Sequence, residues 1–474
     1  MRRRNLLLGA AAASVIPGSA LGEVPAAGRT PWDVLIAGSG LAGLCAAATA
    51  LESGARRVLV LEKGPVIGGH SAYSSGSLAV VIRKPHAGQK FDDSTETLLE
   101  DSKQVGGRVN EAIIRKVGDE SESAADWLRS IGVPFSPVVF QAAGGIRPRC
   151  ISTMGAGAGR AYVTAVNRRA KALGMKLRFG CALTGLVRKN GLWIARVNEK
   201  GAEREIEART VVLATGGFTA NEAMRSKYDP RLGPGMHTTA NPHGLYFDGA
   251  TGDGIRIGEA LGAATAGMGN FQLLAYSGGR VLEYAGAEVY LDMKGHRFVN
   301  EAASTGELTA AILALPERSI WVVTDSRSVK GASLGLKLAN GYVRKSETVA
   351  EMAHGMGLSP SALRKELDDF NAAARSRHDP RFGRTLFLQT VEQPPFYWGR
   401  ETLNIHCSLG GLVTDTEARV LDRKGEPIEG LFAAGETTGV FGRDRPGGMA
   451  LALCLVMGRE AGRRAAKAAA KRAA

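Results

Sequence analysis

The fold is decided by 33-DVLIAGSGLAGLCAAATALESGARRVLVLEKG-64. Asp33 to Ala37 is an apolar run of strand length, and Gly38, Gly40 and Gly43 follow in GxGxxG spacing. An Ala-rich segment then leads to a second apolar run that ends at Glu62. Each glycine answers a separate physical need: Gly38 permits a tight turn, Gly40 lets the backbone approach a pyrophosphate, and Gly43 lets helix lie close to strand. The helix N-terminus that follows Ser39 and Gly40 offers backbone N–H groups to phosphate. Glu62 comes about 20 residues after the glycines, where a carboxylate accepts hydrogen bonds from ribose hydroxyls, with Lys63 beside it. Strand, glycine turn, helix, strand and acid in this order predict a dinucleotide-binding βαβ unit.

Three further segments return to the same ligand. The loop 64-GPVIGGHSAYSSG-76 can wrap it with backbone N–H groups, Gly69, Ser75 and Gly76 among them. From Leu183 the chain reads as a small β-meander turning at Asn190-Gly191 and at Lys200-Gly201. It ends in 210-TVVLATGG-217, an apolar strand running into Gly216 and Gly217. Near the C-terminus a similar strand, 430-GLFAAGE-436, delivers Gly435 and Glu436. A domain interrupted by a long insertion, with first and last segments returning to one cofactor, is the plan of FAD enzymes, so FAD is the expected cofactor.

Composition narrows the class. Of 474 residues, 44% are hydrophobic and 22% charged, as in a globular protein. The net charge of +14 is concentrated at the two ends, in Arg2, Arg3 and Arg4 and in a basic tail from Arg459 that reads as an Ala-rich helix with a solvated face. Nucleic-acid binding is therefore not predicted. Five widely spaced cysteines contain no CxxC, so neither a metal site nor an attached haem is expected. The opening MRRRNLLLGAAAAS sets Arg3-Arg4 before an apolar run from Leu6 to Ile16, well short of the roughly 20 residues that span a bilayer. Small residues follow to Gly22, and residues 1–22 read as a signal peptide of the twin-arginine type, a route for proteins folded around a cofactor, with an ordinary Sec signal behind a basic start as the alternative. The expected location is the periplasm. No other segment is apolar enough to embed the chain in a membrane.

The stretches VLIAGSGLAGL, LEKGPVIGGHSAYSSG, ADWLRSIG, VVLATGGFTANEAMRSKYDPRL, GATGDGIRIGEALGAAT, GHRFVNE, GLFAAGETTGVFGRDRPGG and MGREAG occur in order along almost the whole chain. Through them the sequence resembles the flavoprotein subunits of the fumarate reductase and flavocytochrome c family, whose relatives include urocanate reductases and 3-oxosteroid 1-dehydrogenases. The resemblance implies a Rossmann-type α/β FAD-binding domain over 33–269 plus 407–474, with an inserted α+β capping domain over 270–406. It adds Asp253, Gly447 and Gly448 to the cofactor-binding set. It also implies a separate c-type cytochrome or other electron carrier as partner, because the chain has no haem motif of its own.

The family's substrate site is only partly kept. The carboxylate-clamping arginine before the last Gly-Gly is present as Arg445, and Gln272 is retained. The family's proton-donating arginine falls on Thr305, which has no usable acidity. One family histidine falls on Leu274 and another on Cys407, leaving His406 in the first place of the His-His pair. A site so stripped of cations leaves a buried dianion without partners, and fumarate is expected to be a poor substrate. Gln272, Thr305, Cys407 and Arg445 are the expected substrate-binding residues. Arg445, His406, Tyr276 and Tyr290 are the expected catalytic residues, with Tyr284 and Arg443 as further proton-transfer candidates. Three functions fit: reduction of an unsaturated carboxylate or similar conjugated compound other than fumarate, oxidation of a CH–CH bond next to a carbonyl, or flavin-based electron transfer without catalysis.

Overall fold

The computed structural model describes residues 30–83, 93–142, 144–153, 157–242, 244–275, 282, 284–330 and 334–472. The signal expected over 1–22, and Tyr276, lie outside them.

Strand Trp32–Ala37 is apolar on both faces because both are covered. Val34 and Ile36 enter one core cluster, and Leu35 and Ala37 enter another on the opposite face. That is the pattern of a central strand in a parallel sheet. It pairs in parallel with Val58–Glu62 and with Ala202–Leu213, Val34 lying opposite Val58 and Thr210. Strand Pro427–Ala433 extends the sheet beyond Ala202–Leu213, and Lys176–Phe179 extends it beyond Val58–Glu62, both in parallel. The C-terminal ends of these neighbouring strands deliver Gly38, Glu62, Ala214 and Ala434 to one edge, where open α/β sheets bind ligands.

The meander is present over Cys181–Lys189, Leu192–Glu199 and Ala202–Leu213. Both turns have two consecutive residues at positive φ, Asn190 and Gly191 (51° and 77°) and Lys200 and Gly201 (52° and 90°). That is the geometry which matches strand twist in two-residue hairpins.

Helix Leu41–Glu52 packs against the long C-terminal helix Met449–Lys471. Their approach is close enough that a Cβ at Gly458 would come within 2.6 Å of Ala42 O, and one at Gly462 within 2.2 Å of Ala46 O. The basic tail is thus the outer face of a helix whose Ala461, Ala465, Ala466 and Ala469 are buried. Among its cations, Arg464 pairs with Glu417 and Glu460, and Arg472 with Glu429.

A second, antiparallel sheet is built from Val289–Leu291, Ser319–Thr324, Phe396–Thr402 and Arg344–Ser346. Its strands alternate: Val289, Leu291 and Val323 face helices Val349–Met356 and Pro360–Ser376, while Tyr290, Ile320 and Val322 face helix Thr305–Leu313. This is the α+β capping layer. The chain enters it through Phe271–Leu274 and leaves through Asn404–Ser408, and those two strands pair antiparallel with Gln272 opposite Cys407. Within this layer Arg297, Glu301, Asp379 and Arg384 form a buried ion-pair network.

Candidate active site

At the edge of the main sheet lies a cavity of about 560 Å³, lined by Gly38 to Ala42, Glu62, Lys63, the loop around Gly69 to Tyr73, Ala214 to Gly216, Asp248 to Ala250, Asp253 and Ala434 to Glu436. The three glycines of the opening motif separate cleanly by what a side chain would meet. A Cβ at Gly38 would lie 2.1 Å from Ala214 O, and one at Gly43 would lie 2.0 Å from Gly38 O, so backbone packing excludes both. A Cβ at Gly40 would meet nothing nearer than Gly68 O at 3.8 Å. Gly40 is therefore bare toward the cavity and not toward the protein, as close approach of a pyrophosphate requires. Helix Leu41–Glu52 has Gly40 as its N-cap, which brings no side chain to the helix end; Leu41 N donates to Ser71 Oγ at 3.3 Å, and Ser71 lines the same cavity, where phosphate oxygens could meet the helix N-terminus.

Glu62 is held in place by Ser39, whose backbone N–H and hydroxyl both donate to Oε2 at 3.1 and 2.6 Å, while Gly64 N donates to Oε1 at 2.7 Å. Lys63 Nζ bonds Thr251 and pairs with Asp253 at 2.7 Å. Burial works against the Asp253 carboxylate, but Lys63 and further donors hold its pKa below the ordinary value. Gly217 allows a close approach too: a Cβ there would fall 2.0 Å from Ser408 Oγ and 2.4 Å from Glu436 Oε1. Gly76 and Gly448 have positive φ, and a Cβ at either would strike backbone, at Ala158 and Ala79 respectively. Gly447 O accepts from the Cys150 thiol, and Ser75 lies 3.4 Å from Ser77 Oγ. A helix N-terminus, a bare glycine at its cap and the Glu62 carboxylate around one cavity fit FAD.

One cluster in this cavity was not anticipated. His70 places Nε2 2.8 Å from Asp248 Oδ1 and Nδ1 3.4 Å from Glu436 Oε2. Burial disfavours its charge, but the two carboxylates outweigh burial and hold its pKa well above the ordinary value. A histidine inside a Gly/Ser loop is the only sequence signal for this cluster, because Asp248 is 178 residues away.

The substrate-side residues gather next to the strands that enter and leave the cap. Arg445 is 6% exposed, and its nearest acceptors are weak, Pro446 O at 3.5 Å and Cys407 Sγ at 3.8 Å. Its Nε has no hydrogen-bond partner. Buried guanidinium donors left so poorly matched are costly unless a ligand oxygen completes them. Cys407 also lies 3.7 Å from Gln272 Oε1, and burial pushes its thiol up to about 12, so it stays protonated.

Asp444, which sequence reasoning passed over, ties this region together. It accepts from Gln272 Nε2 at 2.7 Å, Arg445 N at 2.8 Å and Gly306 N at 2.8 Å, the last in the first turn of helix Thr305–Leu313. Burial raises its pKa against those hydrogen bonds. Thr305 is buried at the start of the same helix, against Gly144. Gln272, Thr305, Cys407 and Arg445 are thus brought together around Asp444.

The proton-transfer candidates are scattered. His406 projects from the strand face opposite Cys407, with Nδ1 2.9 Å from Thr239 Oγ1. Tyr290 is buried in the capping layer with its hydroxyl donating to Glu288 at 2.6 Å. The Tyr284 hydroxyl accepts from Val329 N, and burial raises its pKa. Arg443 donates to Val105 O. Tyr276 lies outside the described residues.

Residues 33–451 match the family model described as FAD binding domain. The chain is 30% identical over 455 residues to an NADH:fumarate oxidoreductase of Klebsiella pneumoniae, covering 92% of this chain and 48% of that protein. It thus spans about half the length of that relative. A fumarate reductase (cytochrome) of Shewanella frigidimarina is 30% identical over 92% of this chain and 77% of its own length. An acrylate reductase flavoprotein subunit of Shewanella woodyi is 30% identical over 97% of each chain. Among solved structures, the open conformation of a flavocytochrome c3 fumarate reductase superposes with a TM-score of 0.70 at 29% identity, covering 94% of this chain and 80% of the other. A 3-ketosteroid-Δ4-(5α)-dehydrogenase of Rhodococcus jostii gives 0.68 at 25% identity, covering 94% and 98%. These matches make the chain a member of the FAD-binding fumarate reductase family, an FAD-dependent oxidoreductase of the class that acts on C=C or CH–CH bonds.

Proposed function

We propose that this protein reduces the C=C bond of an unsaturated carboxylate or similar conjugated compound other than fumarate. The observation that carries this reading is Arg445, a buried guanidinium whose Nε has no partner and whose other contacts are long. A carboxylate or carbonyl oxygen conjugated to the double bond would complete it, bidentately in the case of a carboxylate. FAD supplies the hydride when it is bound. The chain's part is to grip the substrate oxygen through Arg445, exclude water under the cap, and deliver a proton; Tyr276, Tyr290 and His406 are the donors expected from the sequence, but His406 faces away from Cys407 and Tyr290 is bonded to Glu288, so neither of these two stands beside Arg445. The Asp444 carboxylate, which accepts from Arg445 N rather than from its guanidinium, places a negative charge beside it, and Thr305 and Cys407 add no positive charge. Such a site suits one anionic or carbonyl oxygen and penalises two carboxylates.

The same near-neutral site favours a second reading, oxidation of a CH–CH bond next to a ketone, and the likeness to a ketosteroid dehydrogenase supports it. We take 33–269 plus 407–474 as the flavin domain and 270–406 as the mobile cap. We also propose that the protein is exported by the twin-arginine route to the periplasm, where a c-type cytochrome or other carrier exchanges electrons with it. Among the described residues no helix is long and apolar enough to cross a membrane.

The test is anaerobic flavin spectroscopy. Reduced protein is mixed with acrylate-type monocarboxylic enoates, urocanate, 3-oxo-enes and fumarate; oxidised protein is mixed with the saturated forms. Reoxidation by a monocarboxylic or ketonic enoate, with fumarate slow, supports the reductase. Bleaching by a saturated ketone supports the dehydrogenase. Fumarate as the fastest oxidant contradicts the account of the site, and no change with any compound leaves a flavin electron carrier.

A further inference from the structure

Residues 237–242 and 244–250 run from the strand that carries Cys407 to the rim of the FAD cavity. One end is fixed to that strand: Thr239 N donates to Ile405 O and Ile405 N donates to His237 O, both at 2.9 Å. The other end carries Leu245, Tyr246 and Phe247, which are 79%, 60% and 52% exposed. Three adjacent large apolar residues left in solvent are unusual unless they cover something. Phe247 lines the cavity beside Glu62 and Lys63, at its ribose-binding end. Its ring has a seat made by glycines: a Cβ at Gly64 would lie 2.7 Å from Phe247 Cε1, and one at Gly249 3.4 Å. Neither glycine has a positive φ, so at Gly64 it is the ring, not the backbone conformation, that leaves no room for a side chain.

The segment is also fastened. The Asp248 side chain is 4% exposed and accepts from Thr238 Oγ1 at 2.6 Å and Ala250 N at 3.0 Å as well as meeting His70. Asn241 pins the backbone of Tyr246 from both sides, at 2.9 and 2.7 Å. His70 in turn bridges Asp248 to Glu436, which belongs to the turn after the last strand of the main sheet.

We propose that residues 244–250 form a strap across the ribose-binding end of the FAD site, seated by Phe247 and fastened by the Asp248–His70–Glu436 cluster, and that it slows release of the cofactor. His70 and Asp248 are positioning residues that hold the strap and loop 64–76 to one another. The charge of His70 is supported by Asp248 and Glu436; Glu62, Lys63, Arg160, Tyr73, Asp253, Cys181 and Cys454 are the other titratable groups lining the same cavity. The histidine pKa is raised by its carboxylate neighbours, so the fastening is intact at and below neutral pH and is lost as pH rises through that raised value.

The experiment follows FAD leaving the purified holoprotein after dilution, by the fluorescence of released flavin, across pH. The wild type should release FAD slowly near neutrality and faster at alkaline pH. Asp248→Asn should release it about tenfold faster or more near neutrality, the loss expected for one hydrogen bond between charged groups. Asp248→Glu should recover part of that difference. His70→Gln should be fast at every pH and lack the alkaline acceleration. Phe247→Ala, a change at an exposed ring, should also speed release while keeping the pH dependence. Release of FAD from Asp248→Asn and Phe247→Ala at the wild-type rate would overturn the proposal, and so would an alkaline acceleration that persists in His70→Gln.

Discussion

The two ends of the active site are built from different materials. The end proposed to hold the cofactor is mostly backbone: glycines at 38, 40 and 43, a helix start with no side chain at its N-cap, and strand ends at Glu62, Ala214 and Ala434. The end proposed to hold substrate is side chain: Arg445, Cys407, Gln272 and Thr305, with Asp444 tying them together. Backbone recognition leaves little latitude, because a methyl group at Gly38 or Gly43 collides with a carbonyl near 2 Å. Side-chain recognition can be rewritten one residue at a time without touching the fold. The glycine end is therefore fixed by the fold itself, and the side-chain end is not.

The largest effects that would break this contrast fall on the glycines. Gly43→Val should fail to fold, seen as loss of soluble protein or a greatly lowered Tm. Gly40→Val has room to fold, so its apoprotein should keep the wild-type melting curve while binding no FAD; a Gly40→Val protein that retained flavin would remove the distinction. Next, Arg445→Ala should keep its flavin and lose turnover by about a hundredfold or more, as when a preorganised donor to the reacting substrate is deleted. Asp444→Asn removes a buried negative charge beside Arg445 and should improve KM for dicarboxylates several-fold, in the range of ~1 kcal/mol for a partly screened charge pair; unchanged preference between mono- and dicarboxylates would count against its role in specificity. The smallest effect is expected at Cys407. Its thiol is pushed up to about 12, so native protein near neutral pH should show no alkylation at this residue by mass spectrometry.

How much was legible in the sequence follows the same division. The βαβ unit, the meander turns and the strand ends were readable because glycine in those positions answers a backbone constraint, and that constraint travels with local spacing. Arg445 was readable only through resemblance. Asp444 was missed although it is the adjacent residue, because its partners Gln272 and Gly306 are 172 and 138 residues away in the chain. His406 and Cys407, neighbours in sequence, project to opposite faces of one strand, so a motif that names them as a pair does not put both on the substrate. The strap was hidden for a similar reason: nothing local in Phe247-Asp248 announces a histidine on the other side of the cavity.

The central claim is that holding FAD and gripping substrate are separable in this chain. The most direct measurement compares Glu62→Ala with Arg445→Ala, recording flavin per protein and, in the same anaerobic mixing experiment, the reoxidation rate per bound flavin with the best monocarboxylic or ketonic acceptor. The account requires Glu62→Ala to lose flavin while each remaining flavin reacts at the wild-type rate, and Arg445→Ala to keep its flavin while the rate per flavin collapses. An Arg445→Ala protein that sheds FAD, with the remaining flavin reacting normally, would place Arg445 in the cofactor site and contradict it.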